Sequence, residues 1–276
     1  MEHKTSLGDF DGTLLLIGAG KMGGAMLEGW HRLGLRFDNV VLIEPQPSPE
    51  IITLGQRGLR INPALDTFAA SAIVIAVKPQ VAPQLSATLA PLIGRDTVVI
   101  SIMAGRTLAF LEKALPAGTA LVRAMPNMPA AIGRGITVAV PNARVSGAQR
   151  DLADKLLAAA GATEWVADEA LMDAVTAVSG SGPAYVFLLA ESLARAGVAA
   201  GLPPALAARL ARATVAGAGE LMHRSPLDPA TLRQNVTSPG GTTAAALDVL
   251  AGKDGLDPVM TKAIAAATRR SRELAG

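Results

Sequence analysis

Gly18, Gly20 and Gly23 stand in the spacing G-x-G-x-x-G within Leu14-Leu-Leu-Ile17-Gly18-Ala19-Gly20-Lys21-Met22-Gly23. An apolar run precedes them and a helix-forming segment follows, the context in which this spacing cradles a pyrophosphate. Gly18 permits the tight turn, Gly20 lets backbone approach phosphate without a Cβ, and Gly23 permits close helix–strand packing. The helix start then presents free N–H groups and the positive end of its dipole. Glu44 closes the next apolar run about 20 residues on, where an acid accepts hydrogen bonds from an adenosine ribose. A carboxylate there repels a 2′-phosphate, and no Arg follows it (Glu44-Pro-Gln-Pro-Ser), which favours NADH over NADPH.

Three more apolar runs end in residues suited to a bound dinucleotide. These are Ala76-Val77-Lys78-Pro79, Ser101-Ile102-Met103-Ala104-Gly105 and Arg123-Ala-Met-Pro126-Asn127-Met-Pro129. In open α/β sheets, ligands lie beyond such carboxyl ends. Lys78 sits at a strand mouth, and Asn127, between two prolines, can offer its carboxamide to a nicotinamide amide. Two further clusters, Ser179-Gly-Ser181-Gly182-Pro183 and Ser238-Pro239-Gly240-Gly241-Thr242-Thr243, place small hydroxyl residues and glycines at helix starts. Their exposed N–H groups suit a small carboxylate, and side-chain capping by Ser and Thr is the structural alternative.

Other chemistries are excluded or disfavoured. The 276 residues contain no cysteine, which removes disulfides, thiolate metal sites and thiol nucleophiles. The histidines, at 3, 31 and 223, form no spaced ligand pair, so no metal site is expected. A net charge of +2 with scattered Lys and Arg leaves no nucleic-acid footprint. The uncharged stretch 174–190 contains Ser-Gly-Ser-Gly-Pro and reads as a buried helix, not a membrane span. The polar first residues lack a signal-peptide core, so a soluble, cytoplasmic protein acting on a small molecule is expected.

Short apolar runs at Thr13–Ile17, Val40–Glu44, Ile73–Val77, Thr97–Ile102 and Thr119–Arg123 alternate with helical segments, the pattern of a doubly wound, mostly parallel sheet. Ile136–Val140 and Glu164–Val166 are candidate edge strands. Residues 1–12 read as a flexible lead-in and 13–167 as an α/β dinucleotide-binding (Rossmann) domain. Residues 168–276 read as an all-α domain, with helices at Asp168–Val178, Ala184–Ala200, Pro204–Met222, Pro229–Val236, Thr242–Leu250 and Pro258–Leu274. Hydrophobic residues are 50% of the chain but aromatics only 3%, so these alanine-rich helices bury little area each. Pairing of two copies through them is expected, because buried fraction rises with size.

Taken in order, the glycine turn, AVKPQ, RAMPNMP, AVTAVSGSGPAYVF and VTSPGGTTAAAL resemble the pyrroline-5-carboxylate reductase family from Leu14 to about Leu250. The resemblance implies reduction of 1-pyrroline-5-carboxylate to L-proline with NADPH or NADH, the last step of proline biosynthesis. It implies a dimer interlocked through the C-terminal helices; some members form rings of dimers, a homodecamer among them. It implies dinucleotide contacts at Ile17–Gly23, Ala76–Pro79, Ile102–Ala104 and Asn235, and substrate against Ser238–Thr243, between the cofactor and the partner chain's helices. Glu169 falls near a substrate position of the family. Three positions depart from its pattern. Glu44 stands where NADP-preferring members often carry hydroxyl or basic residues. Pro63, next to Asn62, stands where many place an Asn, and Met103 replaces a small residue.

The expected mechanism is hydride transfer to the imine carbon of a protonated pyrroline. Backbone N–H groups at Gly240–Thr243 bind the carboxylate, and the Thr243 hydroxyl meets the ring nitrogen. A β-hydroxyacid-type dehydrogenase relies on a lysine in the helical domain, which here has only Lys253 and Lys262, both late in the chain. A protein that senses NAD(P)H without turnover is the non-enzymatic alternative, and the intact SPGGTT segment argues against it.

Overall fold

The computed structural model describes residues 6–65, 68–81 and 88–275. Eight strands form one sheet: β1 (Leu14–Ile17), β2 (Val40–Ile43), β3 (Arg60–Ile61), β4 (Ala72–Ile75), β5 (Val98–Ser101), β6 (Ala120–Met125), β7 (Gly135–Pro141) and β8 (Gly161–Trp165). Their order is β3-β2-β1-β4-β5-β6-β7-β8, and every pairing is parallel except β6 with β7. The order reverses between β1 and β4, the switch point where a crevice opens.

Register makes the site. Ile43, Ile17, Ile75, Ser101 and Arg123 lie side by side across five strands. Glu44, Gly18, Ala76 and Ile102 therefore leave the sheet together. The Gly18 N–H donates to Ile43 O (2.9 Å), Ala76 N–H to Ile17 O (2.8 Å) and Ile102 N–H to Ile75 O (3.0 Å), which extends the ladder past the strand ends.

The central strands are buried on both faces, as their apolar runs require. Leu14, Leu16, Val40, Leu42, Val74 and Ile100 pack on one face under α1 (Lys21–Arg32), with Trp30 donating its indole N–H to Leu156 O (2.8 Å). Leu15, Ile17, Val41, Ile73, Ile75 and Val99 pack on the other, with Leu108 and Leu111 of α3 (Leu108–Ala114). Between them in sequence lies α2 (Pro49–Gly55), and α4 (Gly147–Leu157) carries Leu156.

The structure corrects several expectations. His3 and residues 1–5 of the expected lead-in lie outside the described residues. The rest of that segment is not loose: Leu7 is 2% exposed and its N–H donates to Leu33 O, while the Asn39 amide donates to Phe10 O. β7 is interior, because β8 pairs on its far side. β3 carries no apolar run, so no strand is expected there from sequence.

Packing divides the chain into Met1–Gly180 with Thr268–Gly276, and Ser181–Ala267. Strands stop at Trp165, near the change of sequence texture, yet the segment after them belongs to the first unit. Its helix α5 (Met172–Val175) runs into a π-helical turn, Thr176–Gly180, and buries Met172 and Ala177. The second unit holds α6 (Gly182–Ala199), α7 (Pro204–Arg224), α8 (Pro229–Asn235), α9 (Thr242–Leu250) and most of α10 (Leu256–Ala275). Gly197 lets α6 and α7 close on each other: a Cβ there would lie 3.3 Å from that of Ala207. No helix among the described residues is long and apolar enough to cross a membrane.

Candidate active site

The glycine turn has the geometry its spacing predicts. Gly18 has φ +92°, and a Cβ on it would meet Ala76 O at 2.8 Å. A Cβ on Gly23 would lie 2.2 Å from Gly18 O, so the helix start is pressed onto the turn. A Cβ on Gly20 would meet nothing within 4 Å. The space it would fill is open, and a phosphate can enter it. The N–H groups of Gly20, Lys21, Met22 and Gly23 donate to no carbonyl among the described residues, whereas Gly24 N–H already bonds Gly20 O. This cradle, closed behind by Gly18 and Gly23 and open at Gly20, fits a pyrophosphate.

Glu44 bridges to that turn. Its Oε2 accepts the Ala19 N–H (2.9 Å) and its Oε1 the Gln46 N–H (3.1 Å). Lys78 is exposed past β4, and the carbonyl of Pro79 accepts both Nε (3.3 Å) and Nη2 (3.1 Å) of Arg106. Arg106, which also stacks on Phe110, thus ties the loop after β5 to the loop after β4. Met103 is buried beside β5, filling core, so its bulk does not block the strand mouth. Asn127 Oδ1 accepts the Ile136 N–H (2.9 Å) and its Nδ2 donates to Ser179 O (3.3 Å). One amide N–H remains for a ligand.

Glu169 lies in the first unit. Its Oε1 accepts from Arg123 Nη1 (2.7 Å) and from the Leu108 N–H (2.8 Å), which leaves Oε2 uncommitted among the described residues. The Arg123 side chain is only 7% exposed, so losing its counter-charge strands a buried cation. Glu169→Gln keeps the acceptor for Leu108 and loses that charge. It should lower unfolding free energy by about 1–3 kcal/mol, read from the urea midpoint; a change below about 0.5 kcal/mol would remove the pair from the list of stabilising contacts.

Neither hydroxyl-rich helix start is capped by a side chain. At Ser179 the hydroxyl bonds back to Val175 O (3.0 Å) inside the π-helical turn. Ser238-Pro239-Gly240-Gly241 is a tight turn with Gly240 at φ +69° and the Gly241 N–H donating to Ser238 O (3.0 Å), the type II signature of Pro then Gly. The Gly241 N–H is therefore engaged within the turn. The N–H groups of Thr242, Thr243 and Ala244 reach no carbonyl among the described residues; the ladder begins with Ala245 N–H on Gly241 O.

The hydroxyls here divide sharply. Thr231 bonds Asp228, and Thr237 bonds Arg233 O, but those of Ser238, Thr242 and Thr243 have no partner among the described residues. Asn235, exposed at the end of α8, also keeps its amide uncommitted. Asp228 fixes α8 from its other end by accepting the Ala230 and Thr231 N–H groups. The Thr231 hydroxyl bond holds its carboxyl below the ordinary range, so the cap is charged at neutral pH.

Sequence reasoning named Arg123 at a strand end and Asn62 beside Pro63 without giving either side chain a role, and it missed Arg106. No spacing rule pairs residues from different strand ends, and only the register shows that they converge.

Comparison with known proteins accords with this geometry. Residues 13–105 match the family profile described as NADP oxidoreductase, coenzyme F420-dependent, and residues 169–274 match pyrroline-5-carboxylate reductase dimerisation. The pyrroline-5-carboxylate reductase of Pseudomonas aeruginosa is 38% identical over 264 residues, 95% of this chain and 96% of that one. The solved structure of a pyrroline-5-carboxylate reductase from Coxiella burnetii has a TM-score of 0.89 at 32% identity, covering 96% of this chain and 99% of that one. The Plasmodium falciparum pyrroline carboxylate reductase, solved with NADP bound, has a TM-score of 0.79 at 29% identity, covering 96% and 99%. With relatives this similar along almost its full length, the chain belongs to the pyrroline-5-carboxylate reductase family.

Proposed function

We propose that this chain reduces 1-pyrroline-5-carboxylate to L-proline, with the glycine turn holding NAD(P)H and the start of α9 holding the substrate. The observation that carries the substrate assignment is the set of uncommitted donors at that helix start. Thr242, Thr243 and Ala244 offer N–H groups, and Ser238, Thr242 and Thr243 offer hydroxyls, within one short segment. A small carboxylate matches such donors.

The dinucleotide supplies the hydride that reduces the ring C=N bond. Ile17–Gly23 cradle its pyrophosphate. Ala76–Pro79, Ile102–Ala104, Asn127 and Asn235 add contacts, with the Arg106 bonds to Pro79 O stiffening the first of these loops. The N–H groups of Thr242 and Thr243 hold the substrate carboxylate. The Thr243 hydroxyl bonds the ring nitrogen and orients the iminium, whose proton remains on the nitrogen of the product. The uncommitted Glu169 Oε2 adds a substrate contact, while Oε1 keeps the strand ends in place. Oxidation of NADH or NADPH on addition of pyrroline-5-carboxylate, with proline as product, tests the reading; no turnover with either would overturn it.

Two copies pair through the helical unit. In α6, Val186, Phe187, Leu188 and Leu189 are 46%, 55%, 56% and 54% exposed in the single chain. Four consecutive apolar side chains point to every side of this part of the helix, and an exposed apolar patch of that kind is one that must be covered. Sedimentation should give a dimer or larger assembly, with a ring of dimers as the larger form. Leu188→Glu combined with Leu189→Glu should dissociate it, and a monomeric parent protein would overturn the pairing.

A further inference from the structure

Residues 45–56, which follow β2, contain no Lys or Arg and one carboxylate, Glu50, close behind Glu44. The Ser48 hydroxyl, the one group there able to donate to a phosphate from a side-chain O–H before α2 starts, donates instead to Glu50 Oε2 (2.6 Å) and accepts the Ile51 N–H (3.4 Å). Arg57 lines the groove between α1 and α2, where its Nη2 meets His31 Nε2 (2.8 Å) and its guanidinium lies over the Phe37 ring (5.1 Å).

Asn62 controls the end of β2. It is the one non-glycine residue with positive φ, +49°, among the described residues. Asn tolerates that region better than most residues. Its N–H donates to Leu42 O (2.8 Å), which continues the β2–β3 pairing. Its side chain then adds a two-way rung: Oδ1 accepts the Glu44 N–H and Nδ2 donates to Glu44 O, both at 2.9 Å. The Glu44 backbone is thereby fixed where the carboxylate meets the Ala19 N–H.

We infer that Asn62 is a positioning residue for cofactor choice: by clamping Glu44 it holds a carboxylate beside the glycine turn, and the site prefers the dinucleotide with a free 2′-hydroxyl, NADH, over the 2′-phosphorylated NADPH. The inference rests on that turn being the dinucleotide site. A fixed carboxylate can accept from ribose hydroxyls, whereas a 2′-phosphate meets Glu44 with Glu50 close behind it and no cation within residues 45–56 to offset them.

Calorimetric titration of the whole protein with ADP-ribose and 2′-phospho-ADP-ribose reads this without turnover. The unmodified protein should bind ADP-ribose at least about tenfold tighter, and added salt should narrow the gap by screening the repulsion. Glu44→Gln should bring the two affinities within about threefold of each other. Asn62→Gly accepts the positive φ and removes only the carboxamide. It should reduce the preference at least about threefold, mainly through weaker ADP-ribose binding. Equal affinities in the unmodified protein, or a full preference retained in Asn62→Gly, would overturn the inference while leaving the dinucleotide site standing. Binding of neither nucleotide would overturn the site itself, and the inference with it.

Discussion

Replacing Thr243 with Ala should lower kcat/KM for pyrroline-5-carboxylate about a hundredfold and leave NAD(P)H affinity within about twofold of its starting value. The expectation follows from what the hydroxyl does not do. Threonine hydroxyls in helices and turns usually bond a nearby carbonyl, as Thr176 does to Met172 O (2.8 Å) and Thr237 to Arg233 O (2.7 Å). Thr243 makes no such bond and does not cap α9, whose N-cap is Gly241. Its loss therefore should cost the fold little, and on the proposed reading the contact removed is the one to the substrate. Thr243→Ser keeps the hydroxyl and should recover most of the activity, whereas Thr243→Val keeps the shape and should not. Activity retained in both Ala and Val variants would remove the hydroxyl from the reaction. A matching drop in melting temperature would assign it to helix stability instead.

The sequence is most informative where chemistry and element share one short segment. The run Leu14–Ile17, the three glycines and the helix behind them are legible together because strand burial, turn and helix start lie within ten positions of one another. The same holds for Ser238–Thr243, although the type II turn spends the Gly241 N–H, a detail that only φ and hydrogen bonding disclose. Contacts between distant segments are silent. Arg123 and Glu169 are 46 positions apart, and Asn62 and Glu44 are 18 apart. Asn62-Pro63 reads locally as a turn, and nothing near it says that its amide reaches back to β2. The lead-in is the opposite case. Its polar composition suggests looseness, but Leu7 finds a pocket beside Leu33 and one buried side chain fixes the segment. The helical unit follows its composition: alanine-rich helices bury little area each, and in α7 the buried residues are Ala207 and Ala211 while Leu210, Leu221 and Met222 are exposed.

Gly20 and Gly23 sit three positions apart and should fail in opposite ways when given a methyl group. Gly20 has φ −64°, a conformation alanine adopts freely, and its Cβ would contact nothing within 4 Å. Gly20→Ala should thus unfold within about 0.5 kcal/mol of the parent protein. The methyl would stand in the space the pyrophosphate needs, so the dissociation constants of NADH and NADPH should both rise more than about tenfold. Gly23→Ala meets backbone instead: its Cβ would lie 2.2 Å from Gly18 O and 3.2 Å from the Ala76 Cβ. Gly18 cannot retreat, because its own φ of +92° and its approach to Ala76 O are fixed by the ends of β1 and β4. The helix start must move away from the sheet, at a cost of about 3 kcal/mol, with cofactor binding lost as a consequence. The two melting temperatures and the two binding titrations separate these causes. Weak binding with a parental melting temperature in Gly20→Ala locates the phosphate at the turn by occupancy. Unchanged binding in that variant would mean that the open space beside Gly20 takes no part in holding the dinucleotide, whatever Gly23→Ala does to the fold.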